Sequence, residues 1–145
     1  MKTEERIREE RLNKLREIRK QGNDPYPASF KKTHDAGVLQ EKYHQMADLG
    51  EKKTGKVAVA GRLMSLRKMG KSAFGHLLDD TGTIQIFMSL DRTSNYSLLQ
   101  SIDRGDIIGA EGSIFRTKTG EITVEAKNIT LLAKSIEPLP EKFRS

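Results

Sequence analysis

The stretch from Lys56 to Met64, KVAVAGRLM, indicates a strand, because its residues alternate in character along an extended chain. Val57, Val59, Gly61 and Leu63 fall on one side, and Ala58, Ala60, Arg62 and Met64 fall on the other. Alternation of this kind is typical of a β-strand with one buried face. The chain from Lys56 onward is therefore expected to be a β domain.

The same period of two recurs downstream. A second strand is predicted over 73–79, and a turn signal at 80–82 separates it from a third strand, in which Ile84, Ile86 and Met88 point inward and Gln85 and Phe87 outward. A polar, helix-compatible stretch covers 91–102. Two more strands are predicted, over about 106–117 and from 122 to about 132, around a turn at 117–120. Five strands with a helical insert between the third and fourth match the OB-fold, a Greek-key barrel that binds oligonucleotides. Glycines within the strands, at positions 61, 75, 109 and 112, suit a sharply curled barrel.

The residues outside the barrel divide into two parts. Residues 1–54 are predicted to form a helical extension ahead of the OB-fold at 55–135, and 136–145 to form a linker. Within the extension, one helix is expected over about 3–21, and a second over about 34–49 with Thr33 as its N-cap. The first helix has only a thin apolar stripe, which suits either docking on a partner or a solvated helix.

The composition excludes several classes of function. With no cysteine, the chain has no disulfide, no thiolate zinc site and no cysteine nucleophile. Its 3 histidines lie far apart, without metal-ligand spacing. No apolar run is long enough to cross a bilayer, and the charged N-terminus does not resemble a signal peptide, so we expect a cytoplasmic protein with no metal and no membrane partner. The net charge of +6 over 145 residues favours a polyanionic partner such as nucleic acid.

Five residues on the predicted strands and in the connections between them, with Arg67 in the loop between the first two strands, form a candidate site for single-stranded nucleic acid. Phe74 is expected to face outward as a base-stacking platform, with Arg67 and Gln85 beside it. A glutamine amide can pair with O4 and N3–H of uracil, and an arginine can donate to the remaining carbonyl oxygens. Glu121 could accept N3–H, which cytosine lacks, although the residues alone favour an ordinary solvated hairpin residue at this position. His76 could stack or donate a hydrogen bond, or it could be structural.

Four further cations are candidates for contacting an RNA backbone. Lys68 and Lys71 belong to the predicted loop between the first two strands, which lines the nucleic-acid groove of OB-folds, and Arg116 and Lys118 flank the turn before the fifth strand. A hairpin tip that merely keeps the protein soluble is the alternative.

Several motifs in fixed order resemble a known family. They are GNDPYP (22–27), VAVAGR (57–62), RKMGK (67–71), GTIQI (82–86), GDIIG (105–109), TKTGE (117–121) and PLPEK (138–142). The chain thereby resembles the anticodon-binding OB-fold of class II aminoacyl-tRNA synthetases, most closely the lysine-specific members. The resemblance covers nearly the whole chain.

The resemblance implies roles for individual residues. Phe74 matches the aromatic residue on which the central anticodon uracil stacks, Arg67 and Gln85 match residues that read that base, and Glu121 matches an acidic residue that reads a base at one end of the triplet. The implied partner is the anticodon loop of lysine tRNA, and the full enzyme would be a possible homodimer.

The resemblance also implies a parent activity. The parent would attach lysine to its tRNA with ATP and Mg²⁺, in a catalytic domain whose motifs are missing here, so this chain is expected to need no cofactor and to aminoacylate nothing. The aspartate and asparagine branch of the family is disfavoured by the DPYP segment and by Glu121. A general single-strand-binding OB protein and an assembly module remain as alternatives.

Overall fold

The computed structural model describes Arg6 and residues 30–44 and 54–135, and these contain one α-helix, one 3-10 helix and five strands. The helix α1 (Ala36–His44) precedes the strands β1 (Thr54–Met69), β2 (Ser72–Asp79), β3 (Gly82–Ser89), β4 (Ile107–Arg116) and β5 (Ile122–Ala133). The strands close into a barrel in the order β1-β2-β3-β5-β4, in which only the β3–β5 pair is parallel. This confirms the predicted five-stranded OB-fold.

The helical parts differ in extent from the sequence-based expectation. The insert between β3 and β4 is a short 3-10 helix (Tyr96–Ser101) rather than a helix over 91–102. The second predicted helix is present as α1, and the residues expected to continue it beyond His44 lie outside the described part of the chain. The same holds for the helix predicted over 3–21, apart from Arg6, and for the linker predicted over 136–145. No helix among the described residues is long and apolar enough to cross a membrane.

The core of the barrel is built by the inward face of each strand. Ile84, Ile86 and Met88 of β3 are each 1% exposed, as the period of two predicts. Leu63 and Leu77 close the layer from β1 and β2. Each fully buried side chain of this size contributes about 1.5–3 kcal/mol relative to an exposed one. A slip of one residue in the strand pairing would turn these side chains out of the core, so their burial fixes the register of the strands.

Glycine permits close backbone approach at two points of the barrel wall. A Cβ on Gly61 would lie 2.6 Å from the carbonyl oxygen of Leu78, and one on Gly112 would overlap the carbonyl oxygen of Glu125. Gly112 also follows a bulge in the β4–β5 pairing. Larger residues at these positions would push strands apart, which explains why a tightly curled barrel carries glycine there.

The start of α1 is capped by side chains from the end of β2 and the turn after it, which corrects the prediction that Thr33 is the cap. The backbone N–H of Ala36 donates to Oδ2 of Asp79, and that of Gly37 donates to Oγ1 of Thr81, both at 2.8 Å. The Thr33 hydroxyl instead bonds to the backbone of Ala58 in β1. The helix is thus fixed to the barrel at its N-terminus.

A buried ion cluster ties the insert to the end of β5. The Lys134 ammonium donates to the carboxylates of Asp103 and Asp106 at 2.7 Å each and to the carbonyl of Ser101 at 2.9 Å. The side chains of Lys134 and Asp106 are both 0% exposed. All three ammonium protons are therefore satisfied, as burial of a charge requires.

Candidate functional site

A groove of about 810 Å³ lies on the outer surface of the barrel, across the C-terminal half of β1 and over β2 and β3. The structure brings together in it all five residues that the sequence singled out for base contacts. The lining residues are Ser65, Leu66, Arg67, Phe74, His76, Gln85, Arg104 and Glu121. The groove therefore combines an aromatic ring, an amide, an imidazole, a carboxylate and two guanidinium groups.

The aromatic residue that lines the groove, Phe74, packs against a second phenylalanine outside it. Phe74 pairs with Phe87 across β2 and β3, and their ring centroids lie 4.9 Å apart. Phe87 in turn meets the ring of Phe115 edge-on at 6.2 Å. These separations and inclined planes are the favourable geometry for aromatic pairs. The Phe74 ring is thus held by a neighbouring ring, while its own exposure is intermediate and a base can reach it.

The amide of Gln85 is fixed by neighbours on β5. Gln85 lies on the outer face, as predicted, but only 7% of it is exposed. Its Nε2 donates to Oγ1 of Thr123 at 3.0 Å, and this hydroxyl donates to the carbonyl of Glu121 at 3.0 Å. Because the Thr123 hydroxyl proton is used in that way, its oxygen can only accept from Gln85, which sets the orientation of the amide. Holding the amide in advance lowers the entropic cost of binding a ligand.

His76 connects two walls of the groove. Its Nδ1 lies 2.9 Å from Oγ of Ser65 on β1, and its Nε2 lies 2.7 Å from Oε2 of Glu121, just before β5. Ser65 stands opposite His76 because the β1–β2 pairing shifts between Leu63 and Ser65. A bulge of this kind re-aims side chains on the bulged strand.

The basic residues predicted in the loop between the first two strands lie on different elements of the structure. Arg67 and Lys68 lie on β1 itself, which runs to Met69, rather than in a loop, and Lys71 lies in the tight turn. All three are exposed, as is Lys118 in the β4–β5 turn.

Arg116 lies outside the groove, where its Nη2 donates to the carbonyls of Tyr43 and His44 at the end of α1. A cation at that end of a helix also stabilises it against the helix dipole. The RNA contact suggested for Arg116 is therefore not supported by its position.

Sequence reasoning missed Arg104, and it expected Ser65 and Leu66 in the groove only as members of a predicted loop over 65–72. Arg104 belongs to the loop before β4. Asp103 and Asp106, on either side of Arg104 in the sequence, both accept a hydrogen bond from the Lys134 ammonium. Ser65 stands opposite His76 in the groove because of the bulge in β1 after Leu63. No local sequence pattern marks either residue, although the adjacent GDIIG motif could have drawn attention to the Arg104 loop.

Comparison with known proteins gives the class and then the family. Residues 57–132, which span the barrel, match a family described as an OB-fold nucleic acid binding domain. This match and the closed five-stranded barrel define the chain as a nucleic-acid-binding OB-fold. The chain belongs to the tRNA anticodon-binding family of these domains.

Its relatives include lysine–tRNA ligases from three bacteria. The chain is 40% identical to that of Fervidobacterium nodosum over 94% of its length, 43% to that of Pelotomaculum thermopropionicum over 92%, and 42% to that of Enterococcus faecalis over 92%. The chain spans only 26–27% of the length of these relatives.

Proposed function

We propose that the chain is a tRNA anticodon-binding module that reads the U-rich anticodon of lysine tRNA. The observation that carries this proposal is the meeting of Phe74, Arg67 and Gln85 in one groove of a barrel from an anticodon-binding family. Sequence-specific RNA recognition usually targets loops whose unstacked bases can lie on an aromatic ring and present their Watson–Crick edges. The groove supplies both the ring and the polar groups.

The central base of the anticodon would stack on Phe74. Stacking alone accepts any base, so specificity must come from the polar groups around the ring. Gln85, held by Thr123, would pair with O4 and N3–H of uracil, and Arg67 would donate to a carbonyl oxygen. Cytosine carries an amino group at C4 and no proton on N3, so it would mismatch this pattern.

The RNA backbone would be contacted by exposed cations at the rim. Lys68 and Lys71 in the β1–β2 hairpin and Lys118 in the β4–β5 turn are the candidates. Such contacts add affinity without sequence information. The remaining excess of positive charge would attract the RNA at longer range.

The longer protein to which such a module belongs would be a lysine–tRNA ligase of the cytoplasm, acting as a homodimer with ATP and Mg²⁺. This extension rests on the names of the relatives, of which the chain spans about a quarter. The chain alone would bind the anticodon loop and leave the attachment of lysine to a catalytic domain.

A binding titration tests the proposal. The lysine anticodon stem-loop and a stem-loop with the same stem but an unrelated, U-free anticodon are each titrated with the full chain at fixed salt. We expect at least about tenfold tighter binding of the lysine loop, which corresponds to about 1.4 kcal/mol. Equal binding of both loops would identify a general single-strand binder, and no binding of either would favour an assembly module.

A further inference from the structure

We propose that Ser65, His76 and Glu121 form a hydrogen-bonded relay that positions the Glu121 carboxylate to recognise one end of the anticodon. Ser65 and His76 are positioning residues in this account, and Glu121 is the residue that touches the base. The inference rests on the proposed function and deepens it, because it separates the reading of an outer base from the reading of the central base.

The relay is complete on the protein side. The Ser65 hydroxyl lies 2.9 Å from Nδ1 of His76, and Nε2 of His76 lies 2.7 Å from Oε2 of Glu121. A serine hydroxyl that donates to Nδ1 places the imidazole proton on Nε2, where it is donated to the carboxylate. Each ring nitrogen therefore has a partner, and the imidazole is held in one orientation.

The carboxylate keeps one oxygen for a ligand. Oε2 of Glu121 takes the bond from His76, and within the described residues Oε1 receives no hydrogen bond. The side chains of His76 and Glu121 are 37% and 39% exposed, and both line the groove. Oε1 can thus accept an N–H from the Watson–Crick edge of a base, such as N3–H of uracil.

The backbone around the relay supports a positioning role. The bulge in β1 places Ser65, rather than Met64, opposite His76. Glu121 sits at the end of a turn in which its own N–H is bonded to the Thr117 hydroxyl, at 3.1 Å, and its carbonyl accepts from Thr123. Three separate parts of the chain are thus needed to aim one carboxylate, which a solvated hairpin residue would not require.

The relay predicts discrimination between U and C at an outer base of the anticodon, separate from discrimination at the central base. Affinities are measured for the lysine stem-loop and for loops in which the first, central or third anticodon base is changed from U to C. In the unaltered chain we expect discrimination at the central base and, about tenfold or more, at one outer base, since a hydrogen bond to a charged group is stronger than one between neutral groups.

Two variants then separate positioning from folding. His76→Ala should reduce the outer-base discrimination to about threefold or less, and Ser65→Ala should reduce it in part, while both retain the central-base discrimination. The variant Ser65→Thr keeps the hydroxyl and should show the same outer-base discrimination as the unaltered chain. Ser72→Ala is the matched control, because Ser72 lies outside the groove and its hydroxyl donates to the Met69 carbonyl.

The outcomes are distinguishable. Unchanged outer-base discrimination in His76→Ala would overturn the relay, and so would a parallel loss at the central base, which would indicate a structural role. Discrimination at the central base alone in the unaltered chain would overturn the relay and leave the proposed function intact. Failure to bind any loop would overturn both.

Discussion

The ring of Phe74 packs against Phe87 of the neighbouring strand, with a centroid distance of 4.9 Å and planes inclined by 49°. Phe87 also contacts Phe115 from β4 at 6.2 Å, so three strands contribute to one aromatic row. A stacking platform that is already fixed loses little conformational entropy on binding. The row therefore explains how the half-buried ring of Phe74 can serve as a fixed support for a base.

Replacing the platform should weaken binding strongly. Phe74→Ala is expected to cost ~1–3 kcal/mol in binding of the lysine stem-loop, because the stacked base loses its aromatic partner. Phe74→Tyr keeps an aromatic face and should bind within about threefold of the unaltered chain. Unchanged affinity in the alanine variant, measured by titration at fixed salt, would exclude stacking on Phe74.

The two lysines of the β1–β2 hairpin, Lys68 and Lys71, should account for part of the salt dependence of RNA binding. The variant Lys68→Gln/Lys71→Gln is expected to lower the slope of log affinity against log salt by up to about 1.4, which is ~0.7 for each lost single-strand phosphate contact. Because these contacts carry no sequence information, binding should weaken equally for matched and mismatched loops.

The matched control for the hairpin lysines is Lys31→Gln/Lys127→Gln, which removes two exposed lysines outside the groove. An equal change of slope in both double variants would show only a general effect of net charge.

The ion cluster around Lys134 should be essential for stability. Lys134→Met leaves the buried carboxylate of Asp106 without its cation, and removal of one partner of a buried pair typically costs about 3–5 kcal/mol. Adding Asp103→Asn and Asp106→Asn to this variant should recover part of the loss, because no charge is then left unpaired. Urea unfolding followed by circular dichroism measures both effects, and a loss below about 1 kcal/mol in the single variant would refute the account.

The cap of α1 should make stability depend on acid. Burial raises the pKa of the Asp79 carboxyl. Several contacts lower the pKa by more than burial raises it: hydrogen bonds from the Thr81 hydroxyl and from the N–H groups of Ala36 and Thr81, and the charge of the Lys32 ammonium. The pKa of Asp79 is therefore lowered overall. A carboxyl with a lowered pKa stabilises the fold above its unfolded pKa of about 3.9, and this stabilisation is lost as pH falls through the folded value.

The test compares the unaltered chain with Asp79→Asn across pH. The difference in free energy of unfolding should be largest near neutral pH and should shrink below about pH 4, because the asparagine variant does not titrate at this position. A difference that stays constant down to about pH 2 would show that ionisation of Asp79 does not contribute.

The sequence predicts those features that depend on local alternation. Inward and outward faces of β2 and β3 follow from a period of two, so the grouping of Phe74, His76 and Gln85 could be expected before the structure. The register His76 to Gln85 and Phe74 to Phe87 bears this out.

Features that depend on irregular or distant pairing escaped prediction. The bulge after Leu63 adds a residue that alternation does not reveal, and it brings Ser65 to His76. The cap of α1 comes from residues 43 and 44 positions away, whereas a local pattern favoured Thr33. Arg104 reaches the groove from a loop held by Lys134, which follows Asp103 by 31 positions. Contacts of this range are formed by the fold and are not encoded in neighbouring residues.

Recognition of a uracil stacked on Phe74 can be measured as a single ratio of two affinities. This ratio compares the affinities of the full chain for the lysine anticodon stem-loop and for the same loop with its central U changed to C. With Gln85 and Arg67 both engaged, we expect about ten- to hundredfold tighter binding of the uracil loop, in line with ~1–3 kcal/mol for a bidentate base contact. Equal affinities for the two loops would contradict the account.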